Sequence, residues 1–115
     1  MKKILSVFIA ISLFINVIAQ EIKDIKLPAA IKSGGKPLME ALNNRASERV
    51  FSAKELNMQE LSDLLWAADG INRPESGKRT APTAMNWQDM EIYVILKTGI
   101  YKYNPKDHLL EFIKA

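Results

Sequence analysis

The periodicity of apolar and polar positions changes several times along the chain. Residues 4–19, "ILSVFIAISLFINVIA", form an apolar run of 16 residues interrupted by single Ser and Asn residues. Residues 20–36, "QEIKDIKLPAAIKSGGK", alternate apolar and polar positions before Pro28 and the Gly34-Gly35 break. That pattern predicts an extended, partly ordered lead-in. From Pro37, a residue tolerated in a first helical turn, Leu38, Ala41 and Leu42 recur at helical spacing and predict a short helix over about 37–44. The clearest helix follows at 58–69. Asn57 and Glu60 make a capping-box pair ahead of "MQELSDLLWAADG", Leu61, Leu64, Leu65 and Ala68 form one apolar stripe, and Gly70 stands at the C′ position.

Between the helices, "ERVFSAKEL" reads as a connector whose Phe51 is expected to dock on the core. "INRPESGKR" reads as a loop from its Pro, Ser and Gly content. The period then drops to that of strands. "EIYVILK", "IYKY" and "LLEFI" are β-branched and aromatic runs separated by "TG" and "NPKDH", which predicts a β-meander with short loops. Helices followed by an antiparallel meander define an α+β fold over residues 37–115. The meander runs to the last residue and leaves a sheet edge with no expected cover. The segment therefore reads as the front portion of a larger domain.

Composition adds little to this except at the N-terminus. A chain of 115 residues with 48 % hydrophobic and 25 % charged residues has room for one soluble core. "MKK", the apolar run and Val17-Ile18-Ala19 make residues 1–19 a secretory signal peptide, cut before Gln20, and predict an exported protein. The competing reading is a membrane anchor, against which the run falls short of the roughly 20 residues a span requires. Without Lys2 and Lys3 the 16 basic residues fall to 14, one more than the 13 acidic ones. The net charge of the remainder gives no case for nucleic acid. With no cysteine, thiol catalysis, cysteine-ligated metal and disulfides are excluded.

Two polar stretches carry candidate chemistry. In "NNRASERVF", Arg45, Ser47 and Arg49 alternate, so an extended backbone puts two guanidinium groups and a hydroxyl on one side, where they suit a phosphate. The plain alternative is a set of cations complementing a helix C-terminus. In "KRTAPTAMNWQ", Pro82, Thr83 and Ala84 are small enough to let a ligand approach the backbone. Asn86 and Gln88 each present a donor and an acceptor, which suits a ring edge with a donor between two carbonyls. An ordinary polar turn remains the alternative there. Trp66 is expected in the core, Trp87 is undecided, and His108, following Asp107 in a turn, is expected at the solvated surface. No nucleophile elbow, phosphate-binding glycine motif or carboxylate pair occurs.

Taken in order, "LMEALNNRASERVF", "LNMQELSDLLWAADGINR", "RTAPTAMNWQDMEIYVI" and "GIYKYNPKDHLLEFI" resemble the FMN-dependent nitroreductase family, in particular its branch of thiazoline- and oxazoline-oxidase-like proteins. The resemblance covers most of residues 37–115. It implies a homodimer with FMN at the subunit interface. The family's Arg-x-Ser-x-Arg/Lys element, which contacts the flavin phosphate and pyrimidine side, falls on Arg45, Ser47 and Arg49. Its Pro-Ser-x-x-Asn-x-Gln element, which runs along the flavin ring, falls on Pro82, Thr83, Asn86 and Gln88. The implied chemistry is hydride transfer from NAD(P)H or another donor through flavin N5 to a small organic acceptor, with no side chain required as general acid or base. Two departures stand out. Asp89-Met90 replaces the Pro-Trp that often follows the family's Gln, and the chain has about half the family's usual length. A truncated, non-catalytic exported module is therefore the alternative expectation.

Overall fold

The structure, a computed structural model, describes residues 23–115, so the segment predicted as a signal peptide lies outside the described residues. Nine short elements follow. They are β1 (Ile25–Lys26), α1 (Leu38–Asn44), α2 (Met58–Asp69), β2 (Ile71–Arg73), β3 (Lys78–Arg79), a 3₁₀ turn (Ala84–Asn86), β4 (Tyr93–Leu96), β5 (Gly99–Asn104) and β6 (Leu109–Lys114). The meander β4–β5–β6 is antiparallel throughout, and the whole is α+β as expected.

Helix α2 starts where its sequence says it should. The Asn57 side chain accepts from the Glu60 N–H at 2.9 Å and the Glu60 carboxylate accepts from the Asn57 N–H at 2.9 Å. That backbone bond holds the Glu60 carboxyl below its ordinary value. Leu61 and Leu65 lie on the sheet with Tyr101, Tyr103 and Leu110, and Leu27 of the lead-in closes the same core. The other half of the expected stripe is wrong. Leu64 is 57 % exposed and Ala68 is exposed, while Ser62 and Asp69 are buried in their place. The inward face is centred on 61, 65 and 69, and its two polar members are kept by specific partners.

Gly70 also departs from expectation. Its φ of −71° is ordinary extended backbone, with no left-handed C′ turn. A glycine is needed for space, because an added Cβ would meet the Trp66 Cγ and carbonyl oxygen at 2.6 Å. Trp66 itself is half-buried and carries Lys32 Nζ 5.2 Å from its ring centroid, so it borders the core.

The lead-in does more than the sequence indicated. Sheet order is β1-β6-β5-β4, with Ile25 opposite Leu110 and Lys26 opposite Leu109. The edge expected to be bare is thus covered by β1 along the first part of the last strand, and Phe112 N–H donates to the Asp24 carboxylate at 2.8 Å. Beyond β1, Ser62 Oγ donates to the Pro28 carbonyl at 2.6 Å, Gln59 Nε2 to the Ala29 carbonyl at 2.9 Å, and Ile31 N–H to Asp63 Oδ1 at 2.7 Å.

His108 completes this clasp and is not the solvated surface residue expected. Its Nε2 lies 2.7 Å from Ser62 Oγ and 3.0 Å from the Pro28 carbonyl, and its Nδ1 lies 2.9 Å from the Tyr103 hydroxyl. With the Ser62 proton spent on Pro28, Nε2–H is the donor and Nδ1 accepts from Tyr103. Tyr103 lies across the same turn, but Pro28 and Ser62 come from 80 and 46 positions away, which no local pattern could reveal.

The stretch from Ser33 to Leu56 behaves differently. It is exposed throughout, α1 buries no residue, and Phe51 is 87 % exposed instead of docking on the core. Up to Lys54 its hydrogen bonds are local, such as those from the Arg49 and Val50 N–H groups to Glu48 Oε1 at 3.1 Å, and only its end is tied to the sheet, where Glu55 pairs with Lys97 in the β4–β5 turn.

Replacing Gly70 with Ala is expected to cost about 1–3 kcal/mol, the usual penalty for overpacking a tight site. A lowered urea midpoint with an unchanged slope checks it.

Candidate functional site

The site is built around the step from α2 into the sheet. Asp69, the last helical residue, is 4 % exposed, and Arg79 on β3 reaches its Oδ2 through Nη1 at 2.6 Å. The Arg79 Nε is buried without a hydrogen-bond partner. The segment 71–79, expected as a plain loop, is a two-stranded ribbon in which Ile71 faces Arg79 and Arg73 faces Lys78, with Gly77 at φ +64° in its turn. Thr80 fastens the ribbon to the helix end, its N–H donating to the Gly70 carbonyl at 2.8 Å and its hydroxyl to the Trp66 carbonyl at 3.3 Å. Arg73 Nη2 adds a bond to the Arg79 carbonyl at 2.7 Å.

The next segment carries unusual backbone. Met85, Asn86 and Gln88 all have positive φ, at 52°, 58° and 53°. Non-glycine residues pay for left-handed backbone, and three within four positions is a concentration that other bonds must hold in place. Gln88 provides them. Its N–H donates to Thr83 Oγ1 at 3.3 Å, and its side-chain amide donates to the Gly77 carbonyl at 3.0 Å and to Asn86 Oδ1 at 3.2 Å. The amide nitrogen of Gln88 is therefore spent on tying the loop to the ribbon. The amide nitrogen of Asn86 has no partner among the described residues.

An open cleft of about 490 Å³ lies between the ribbon and this loop, with Pro82, Thr83 and Asn86 on one wall and Arg73, Lys78 and Arg79 on the other. Gln88 lies outside it and lines a smaller polar cavity of about 160 Å³ with Asp69, Arg79 and Tyr103. Trp87 is 73 % exposed. Arg45 leaves α1 with extended backbone, φ −67° and ψ 122°, so the alternation of Arg45, Ser47 and Arg49 falls on the non-helical run that a phosphate reading requires. All three side chains are exposed and make no hydrogen bond or ion pair among the described residues. Within one chain they line neither cavity, so the two predicted elements are not brought together.

Sequence reasoning missed Arg73, Lys78 and the Asp69–Arg79 pair. The only local hint was the Gly77 turn between two short charged segments. Among the described residues, no group of three acidic, His or Cys side chains is placed to hold a metal ion, and no helix is long and apolar enough to cross a membrane.

An α+β domain with a helix-to-ribbon step and a strained polar loop ahead of a meander is the class of protein that these features define. Comparison with known proteins names the family: its model, the nitroreductase family, matches residues 42–115, and the chain belongs to it. Over 77 residues the chain is 36 % identical to a Methanocaldococcus jannaschii protein that carries a provisional nitroreductase name, covering 62 % of this chain and 38 % of that protein. It is also similar to a Ralstonia eutropha protein, likewise provisionally named a nitroreductase, whose crystal structure at 2.00 Å matches with a TM-score of 0.78 and 40 % identity. That match covers 85 % of this chain and 47 % of the other, so the chain spans less than half the length of either relative.

Two outcomes follow from the charges here. Asp69→Ala leaves Arg79 as a half-buried, unpaired cation and is expected to destabilise by about 3–5 kcal/mol. Chemical denaturation measures this, and an Asp69→Leu/Arg79→Met double variant should recover much of the loss. Tyr103 gives the second. Burial first, and then the Asp69 charge, push its hydroxyl from 10.0 up to about 12, with Arg79 opposing. The folded state thus keeps a proton that the unfolded chain releases. This contribution is whole below pH 10 and is lost as pH rises towards 12. Tyr103→Phe should flatten the fall in stability across that window, followed by circular dichroism in alkaline urea series.

Proposed function

We propose that this chain supplies an FMN-binding part of an exported oxidoreductase, in the branch of the nitroreductase family that holds the thiazoline- and oxazoline-oxidase-like proteins. The observation that carries the reading is the strained loop. Its three left-handed residues fall on the element that family resemblance lays along a flavin ring, and strain of this kind collects at ligand sites.

The donor set suits FMN. Arg45 and Arg49 are unneutralised and alternate with the Ser47 hydroxyl on an extended run, as a phosphate monoester requires. Asn86 offers a free amide nitrogen on the cleft wall, while Pro82 and Thr83 leave that wall low. Gln88 positions Asn86 by bonding its side-chain oxygen. When bound, FMN supplies two-electron hydride chemistry between a donor such as NAD(P)H and a small organic acceptor. The chain's part is to bind, to orient the ring edge through Asn86, and to place the Arg49 charge near its pyrimidine side. The separation of the 45–49 run from the cleft within one chain supports a site assembled across a homodimer, each subunit giving one wall. Export rests on the signal-peptide pattern of residues 1–19.

A second reading is a non-catalytic exported module, and the observation that favours it is the separation of the 45–49 run from the cleft within one chain. Purification of the full-length natural protein separates the two. Flavin absorbance that NAD(P)H bleaches supports the oxidoreductase. A colourless protein that added FMN fails to load overturns it. In the same protein, Arg45→Ala is expected to weaken FMN binding by more than about 1 kcal/mol, the worth of a charged hydrogen bond, as read by quenching of flavin fluorescence. Unchanged affinity returns Arg45 to the role of a helix-end cation.

A further inference from the structure

We infer that the cleft between the β2–β3 ribbon and the Pro82–Asn86 loop is a second anion subsite, which takes a phosphate or carboxylate group of the flavin's reaction partner and not the phosphate of the cofactor. This rests on the flavin reading above and assigns a task to residues that reading leaves unused.

Arg73 and Lys78 stand directly opposite each other in the ribbon register, so their side chains leave it on the same face. Like charges in that relation repel, and a neutral residue at either position would relieve the ribbon. Neither side chain is ion-paired among the described residues. Glu75, the acid in the same hairpin, makes no ion pair with them there either. Arg79, the third cation on this wall, is committed to Asp69 at 2.6 Å. Arg73 donates Nε to Asn72 Oδ1 at 3.1 Å and Nη2 to the Arg79 carbonyl at 2.7 Å, bonds to neutral oxygens that leave its charge and Nη1, with the Lys78 ammonium, to the cleft.

The rest of the lining has the same polarity. Thr83 Oγ1 already accepts from the Gln88 N–H, which leaves its own proton to donate. The Asn86 amide nitrogen is unspent, and no carboxylate lines the cleft. A guanidinium, an ammonium, a hydroxyl and an amide N–H converge on about 490 Å³, a space suited to part of a small organic molecule and larger than an ion alone needs. With the Thr83 and Asn86 side-chain oxygens already accepting from Gln88, the remaining donors beside uncompensated positive charge select an oxyanion. The cofactor's own phosphate has separate candidates in Arg45, Ser47 and Arg49. Asn86 belongs to both the cleft wall and the ring element, which sets the anion subsite next to the place where the reaction partner meets the ring.

The test uses the full-length natural protein and its Arg73→Gln/Lys78→Gln double variant. Both positions are exposed, so a thermal melt should show the fold retained. Pyrophosphate and benzoate are titrated separately by calorimetry at low salt, and flavin content is read by absorbance. We expect saturable binding of at least one anion, weakened at least tenfold in the double variant, with flavin content unchanged. Preference for pyrophosphate marks a nucleotide phosphate as the source, and preference for benzoate marks an acidic organic acceptor. No saturable binding of either anion, or equal binding by the double variant, overturns the subsite. Loss of flavin in the double variant also overturns it, because the cleft would then hold the cofactor's phosphate. Anion binding that depends on Arg73 and Lys78 in a protein without flavin would keep the subsite and remove the flavin reading.

Discussion

Asp69 sits in two unfavourable places at once, at the C-terminal end of a helix dipole and almost wholly out of water. It stays because Arg79 meets it, and that single requirement dictates the path of the chain after α2. The backbone leaves the helix through Gly70, where a Cβ would crowd Trp66, and turns within nine residues to bring β3 back to the helix end. The ribbon exists to close that pair. The loop that follows inherits its position from the ribbon, through the Gln88 bond to Gly77, and the cleft lies in the angle between them.

How much of this was legible depended on the distance over which each signal acts. The capping box of α2 and the three strands of the meander are local, and both stand as read. The α2 face was misjudged because hydrophobicity alone was followed. Leu64 looked like a core residue, whereas Ser62 and Asp69 earn burial from partners 34 and 10 positions away. His108 failed for the same reason, its contacts reaching back 46 and 80 residues. The ribbon was invisible because strands of three and two residues, largely polar and charged, have no apolar alternation to detect. Of the candidate site, Pro82, Thr83 and Asn86 were placed on a common wall, and Gln88 was found behind it. The cationic wall opposite them had been hidden inside a segment read as loop.

The lead-in sharpens the definition of the domain. The family match begins at residue 42, yet Leu27 is a core residue and β1 shields the last strand. Residues 24–31 belong to the folded unit by packing, although they lie outside the stretch that defines the family. The exposed stretch from Ser33 to Leu56 then forms a loop between two anchored points, the Ile31 bond to Asp63 and the start of α2. Its Leu38, Met39, Val50 and Phe51 side chains are all more than half exposed, a density of apolar surface that fits the proposed subunit contact.

The two halves of the proposed flavin site are therefore prepared to different degrees. The loop carrying Asn86 is fixed by the ribbon and by the helix end before any ligand arrives, so its strain is already offset within the folded chain. The run carrying Arg45 and Arg49 has only local hydrogen bonds, and ordering it against a ligand costs about 0.5–1.5 kcal/mol for each long side chain immobilised. A partner subunit that covers the neighbouring apolar residues would meet part of that cost in advance. On this reading, dimer assembly and cofactor affinity are coupled through the 45–49 run, while recognition of the ring edge is a property of the single chain.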